Sequence, residues 1–127
     1  MNRELLSGEE KKLFNWVKIN DFNQLMENDA SKLSSLAEEL IQNIETHLSV
    51  IIENYQKLNY QRCKEEIHAL NGMLTFFGSA KLAQSLTELH SALSEDPEKN
   101  DITGLLANTL ETKQLTIAAT KKLYDLK

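Results

Sequence analysis

The sequence predicts an all-α fold, an up-down-up-down four-helix bundle behind a short N-terminal helical cap. Apolar residues recur at intervals of three and four over long stretches, which marks one face of an α-helix. β-branched residues are scattered and nowhere alternate with polar ones, so the strand pattern finds no match. With four Gly and one Pro, the chain also has few places to break a helix.

Taken in order, residues 1–20 read as the cap and residues 21–127 as the bundle, one domain overall. Leu13, Phe14, Trp16, Val17 and Ile19, then Phe22, Leu25 and Met26, predict one or two short helices broken around Asn20 and Asp21. Asn28 and Asp29 are good helix caps. After them Leu33, Leu36, Leu40, Ile44, Leu48, Ile51, Tyr55 and Leu58 form the stripe of a long helix, which Asn59 interrupts. A second stripe runs Tyr60, Cys63, Ile67, Leu70, Leu74, Phe77, and Gly78 stands where a helix takes a left-handed C-terminal residue. Ser79 can cap the next helix at once, with its stripe at Leu82, Leu86, Leu89 and Leu93. These two helices are expected to form a tight antiparallel hairpin. The stretch Ser94 to Asp101 holds the single proline among turn formers and reads as a loop. A last helix follows to about Tyr124, with a thinner stripe (Ile102, Leu106, Leu110, Ile117, Tyr124) because Lys113 takes an apolar slot. Four such helices with short connections make a bundle.

The balance of 14 Lys and Arg against 19 Asp and Glu, with 41% apolar residues, suits a folded core and disfavours a disordered chain. An acidic chain without a basic cluster offers nothing for a nucleic-acid backbone or an anionic membrane to grip. One cysteine, Cys63, can form neither an internal disulfide nor a Cys-based zinc site, which fits a reducing compartment. No signal-peptide run and no window approaching about eighteen apolar residues is present, so a cytoplasmic protein is expected, either free-standing or a domain of a longer one. Phosphate loops, H-E-x-x-H, G-x-S-x-G and C-x-x-C motifs are missing. A self-contained ATP-using enzyme is therefore not expected.

The histidines remain. His68 follows the stripe residue Ile67, which sets it beside the buried seam on an accessible flank with Lys64, Asn71, Gly72 and Thr75. A glycine inside a helix costs about 1 kcal/mol relative to Ala, and Gly72, one turn on, would let another protein's surface approach the imidazole. The competing reading is a surface histidine beside a tolerated glycine. Counted from Gly78, His68 lies ten residues before the turn and His90 twelve after it, so the two are expected at one level of the hairpin. His47 reads as structural or solvated, Cys63 and Phe77 as core, and Trp16 as part of the cap.

The run from His68 through Leu70, Gly72 and Gly78 to Leu82 resembles the signature of the histidine-containing phosphotransfer (HPt) domain family, and the resemblance extends from about Asp21 to Tyr124. It implies a phosphocarrier and not an enzyme. His68 would accept a phosphoryl group from the aspartyl phosphate of one receiver domain and pass it to another, in a two-component phosphorelay. Imidazole, largely neutral at cellular pH, suits such a nucleophile. The implied partners are response-regulator receiver domains and a hybrid sensor kinase, with no nucleic acid or membrane, and the chain is expected to be a monomer, either free-standing or a domain of a hybrid kinase. No cofactor is implied, because the receiver supplies Mg²⁺. Gly72, Met73 and Thr75 would form the docking face, Met73 making it greasier than is usual. Where the family has Lys, this chain has Asn71, whose amide can donate to phosphoryl oxygens but carries no charge. Lys64 could supply the charge, with Lys81 a weaker candidate, and His90 could hydrogen-bond Nδ1 of His68. Alternatives are a degenerate HPt or plain adaptor without phosphate chemistry, a histidine-kinase dimerisation domain, and a haem or metal site between His68 and His90. For the kinase domain, Ala69 and Gly72 stand where an acidic residue and a proline are usual.

Overall fold

A computed structural model describes residues 3–98 and 101–127, so Lys99 and Asn100 of the expected Ser94–Asp101 loop lie outside the described residues. The rest is helical: a 3₁₀ turn at Arg3–Leu5, then α1 (Gly8–Lys11), α2 (Trp16–Leu25), α3 (Ala30–Gln56), α4 (Tyr60–Phe77), α5 (Ala80–Glu95) and α6 (Ile102–Leu123). No strand occurs among the described residues. Helices α3 to α6 pack in sequence order and α6 closes back on α3. With short connections this is an antiparallel four-helix bundle. No described helix is long and apolar enough to cross a membrane.

Helix α3 starts as its sequence dictates, with Asp29 Oδ1 accepting from the N–H groups of Ser31 and Lys32, and buries the expected face from Leu33 to Ile51. Its end differs from expectation. The helix stops at Gln56, and Leu58 turns left-handed (φ 60°) and lies 70% exposed instead of extending the stripe. Asn59 N–H, closing back on Asn54 C=O at 2.8 Å, satisfies a carbonyl that the helix end would leave unpaired.

Helices α4 and α5 form the tight hairpin. Gly78 is left-handed (φ 90°), and Leu70, Leu74, Leu82, Leu86 and Leu89 are almost wholly buried. Each contributes roughly 1.5–3 kcal/mol by leaving water. Ser79 occupies the cap position of α5, but its side chain makes no cap hydrogen bond; its Oγ is buried without a partner.

The seam of α6 is more polar than its stripe suggested. Thr109, Thr116, Thr120 and Lys113 are buried in it, and Lys113 keeps its charge paired through Glu45 of α3 at 3.1 Å. Between α5 and α6 a short relay forms. Thr109 Oγ1 donates to Leu105 C=O, so it accepts from Ser85 Oγ at 2.7 Å, which accepts in turn from Asn108 Nδ2.

The break expected at Asn20 and Asp21 is not there. Helix α2 runs through both, so the boundary drawn after residue 20 falls inside a helix. The interruption comes earlier, where Asn15 Oδ1 caps α2 by accepting from Val17 and Lys18. The cap docks on the hairpin turn through Asn15 N–H to Gly78 C=O (2.6 Å) and Lys81 N–H to Leu13 C=O (3.2 Å). Phe77 anchors it, its ring 5.5 Å from Phe22, 6.3 Å from Phe14 and 5.8 Å from Tyr124. Trp16 stays in the cap as expected, with the Arg3 guanidinium 4.0 Å over its ring. Glu10 ties α1 to α6 through Lys122 at 3.0 Å. The Ser7 N–H and that ammonium hold its carboxyl below the usual range. Tyr124, whose hydroxyl donates to Asn23 Oδ1 at 3.1 Å, closes the same end; burial pushes its pKa up.

Candidate functional site

His68 emerges from α4 midway along the helix. Its neighbour Ile67 is fully buried and His68 itself is exposed, as expected of a residue one step (about 100°) round from an apolar stripe. It makes no hydrogen bond or ion pair with any described residue, so neither ring nitrogen is committed.

His68, Lys64, Gln61 and Glu65 of α4 and His90 of α5 line one shallow cleft of about 260 Å³. The hairpin register therefore brings both histidines to a common surface. The hydrogen bond expected from His90 to His68 is absent. The His90 ring lies instead along its own helix, with Nδ1 3.4 Å from Ser94 Oγ. Because that hydroxyl donates its proton to His90 C=O at 2.9 Å, the arrangement favours a proton on Nδ1 and leaves Nε2 uncommitted.

Asn71 does not join the cleft. Its Nδ2 donates to Thr87 Oγ1 on α5 at 3.3 Å, and its Oδ1 is buried without a hydrogen-bond partner. Lys64 does line the cleft, half-buried and without an ion pair to any described residue. Lys81 stands at the opposite end of the hairpin, in the first turn of α5 beside Leu13.

The other expected residues border depressions on the adjoining flank of α4, which Gly72, one turn after His68, begins. Ala69, Gly72 and Met73 border an apolar groove of about 500 Å³ walled by Phe22 and Met26 of the cap and Leu36 and Leu40 of α3. Thr75 borders a second depression with Gly72, Leu25 and Phe76, while its hydroxyl donates to Asn71 C=O. Phe76, 54% exposed, stands between the two with its ring edge-on to Phe22 at 5.8 Å. The groove walls on α2 and α3 and the exposed Phe76 were not read from the sequence, although Phe76 beside the stripe residue Phe77 was a usable signal. A Cβ built at Gly72 meets nothing within 4 Å. Packing inside the chain therefore gives no reason for glycine there.

Of the two readings of His47, the structural one holds. Its Nδ1 lies 2.5 Å from Glu66 Oε2, and Glu66, with only 11% of its side chain exposed, also takes Arg62 Nη2 at 2.6 Å. This network ties α3 to α4 two residues before His68. Arg62 engages Glu65 as well, at 3.5 Å. Cys63 behaves as a core residue: its Sγ donates to Ile51 C=O and burial raises its thiol pKa, which disfavours the reactive thiolate. Among the described residues no group of three or more His, Cys, Asp or Glu could hold a metal ion. No family model, no curated protein and no solved structure matches this chain.

Proposed function

We propose that this bundle is a phosphorelay intermediate in which His68 carries a phosphoryl group between receiver-domain aspartates. The observation that carries the reading is the pairing of an uncommitted, exposed imidazole with a helical glycine one turn on that nothing in the chain requires. A residue costing about 1 kcal/mol of helix stability without an internal benefit points to an external surface that needs the space. The apolar groove beginning at Ala69 supports the same reading, since an exposed apolar depression of this kind marks a surface that another molecule covers. Receiver chemistry matches it too. The partner brings Mg²⁺ and the aspartyl phosphate, and this chain brings the nucleophile: a P–O bond to aspartate breaks as a P–N bond to His68 forms, and the ring proton leaves.

The test is incubation with a panel of phosphorylated receivers. Transfer should leave acid-labile, base-stable label on this chain, and a full panel without label would discard the reading. A second reading, docking without transfer, is favoured by one observation, the commitment of Asn71 to Thr87. It gives receiver binding with no label, so the same experiment separates the two.

Gly72→Gln gives an independent check. The substitution should stabilise the helix by up to about 1 kcal/mol, because a Cβ there has no atom within 4 Å, yet slow transfer by crowding the nucleophile's approach. Thermal denaturation and transfer rates measured together decide it: unchanged rates would remove the steric argument for the glycine.

A further inference from the structure

The phosphoryl group proposed for His68 is a dianion, and the cation that would face it is missing from the position where the HPt resemblance puts a lysine. Asn71 cannot substitute. Its amide protons reach Thr87 on the neighbouring helix and its carbonyl oxygen is buried, so both ends of the side chain turn away from the cleft that holds His68. Lys64 stands four residues before His68 on the same helical face, a spacing that places side chains side by side, and both line the α4/α5 cleft. The two glutamates that follow Lys64 do not neutralise it. Glu65 and Glu66 are drawn to Arg62, at 3.5 Å and 2.6 Å, and Glu66 also holds His47. Lys64 is thus left half-buried without an ion pair to a described residue, in the same cleft as a histidine that is likewise uncommitted.

We infer that the α4/α5 cleft is an oxyanion site in which Lys64 supplies the positive charge for a tetrahedral phosphate-class group at His68, while Asn71 is a tie between helices and not a ligand. The role of Lys64 toward a phosphorylated His68 rests on the phosphoacceptor reading; the oxyanion site itself does not. His90 forms the opposite wall, with Nε2 as its available nitrogen. Glu65, the remaining charge lining the cleft, has its carboxylate 3.5 Å from the Arg62 guanidinium, so its charge is partly offset from outside the cleft while that of Lys64 is not.

The experiment has two arms on the full chain. In the first, inorganic phosphate is titrated while backbone and histidine-ring resonances are followed by NMR. Saturable shifts are expected at Lys64, His68 and His90; Lys64→Ala should weaken binding roughly three-fold, the scale of one water-exposed charge contact, and Lys64→Arg should restore it. In the second arm the chain is labelled with phosphoramidate, whose P–N bond breaks with loss of ammonia as the bond to His68 forms. Lys64→Ala should shorten the lifetime of that label by a similar factor, and Lys64→Arg should recover it. Phosphate binding that depends on Lys64 in a chain that takes no label would uphold the oxyanion site and overturn the phosphoacceptor reading. Label whose lifetime ignores Lys64, with no saturable shifts in the cleft, would overturn the inference and leave that reading intact. The absence of both label and shifts would overturn both.

Discussion

His68→Gln is expected to reduce phosphoryl acceptance to background while leaving the bundle intact. Glutamine keeps a polar side chain of similar reach but has no nucleophilic ring nitrogen, so the P–N bond cannot form. The fold should hardly notice. His68 is exposed and bonds to nothing in the chain, and substitutions of that kind usually change stability by less than about 0.5 kcal/mol. Circular dichroism and denaturant midpoints should therefore match the parent, and any loss of label belongs to chemistry and not to unfolding. Label retained on the variant would move the acceptor elsewhere, with His90 across the cleft the next residue to replace.

Gly78→Ala should produce the largest loss of stability. Its φ of 90° lies where a Cβ costs about 1–2 kcal/mol from backbone strain alone. That Cβ would also approach Asn15 O and Lys18 Cβ to 2.9 Å and Ile19 N to 3.1 Å. The obstructing atoms are mostly backbone, and they belong to the segment whose Asn15 N–H is bonded to Gly78 C=O. The cap must shift or the turn must open, for a total cost of about 2–4 kcal/mol. Trp16, the only tryptophan, reports on the cap, so its emission should change in the folded variant while helicity stays near the parent value. A cost near 1 kcal/mol with unaltered emission would mean that the turn absorbs the methyl without disturbing the cap.

Most of the bundle was legible because burial follows the helical repeat. The stripes of α4 and α5 are buried where the three-and-four spacing placed them, and Gly78 took the left-handed turn that only glycine adopts at low cost. Misreadings came where a local preference competed with tertiary contact. Asn20 and Asp21 looked like a break, yet both face solvent on a helix whose other side buries Ile19 and Phe22; the signal that mattered was Asn15, a cap residue just before Trp16. Leu58 was counted into a stripe because nothing in its identity announces a left-handed conformation. In the site, the common level of His68 and His90 followed from counting outward from the turn. The same count sets Asn71 seven residues before Gly78 and Thr87 nine after, so the tie between them was within reach. The His47–Glu66 contact was not. It joins α3 to α4 across a connection whose geometry spacing does not encode, and only the Arg62 half, four residues apart on one helix, could be read directly.

The hydroxyl relay between α5 and α6 has a consequence for how many ways this chain can assemble. Leucine against leucine tolerates sliding, because apolar contact has no direction and one turn of displacement, about 5.4 Å, puts another aliphatic side chain into much the same space. The pair Ser85 and Thr109 tolerates none. The same displacement of α6 would carry Thr109 and Asn108 away from Ser85 and leave its hydroxyl buried without a partner, at roughly 1–3 kcal/mol, while Thr109 kept only its bond to Leu105 C=O; it would also pull Lys113 away from Glu45. The last helix is thus held less by grease than by a keyed alignment, which excludes the shifted arrangements that a uniformly aliphatic seam would leave nearly equal in energy.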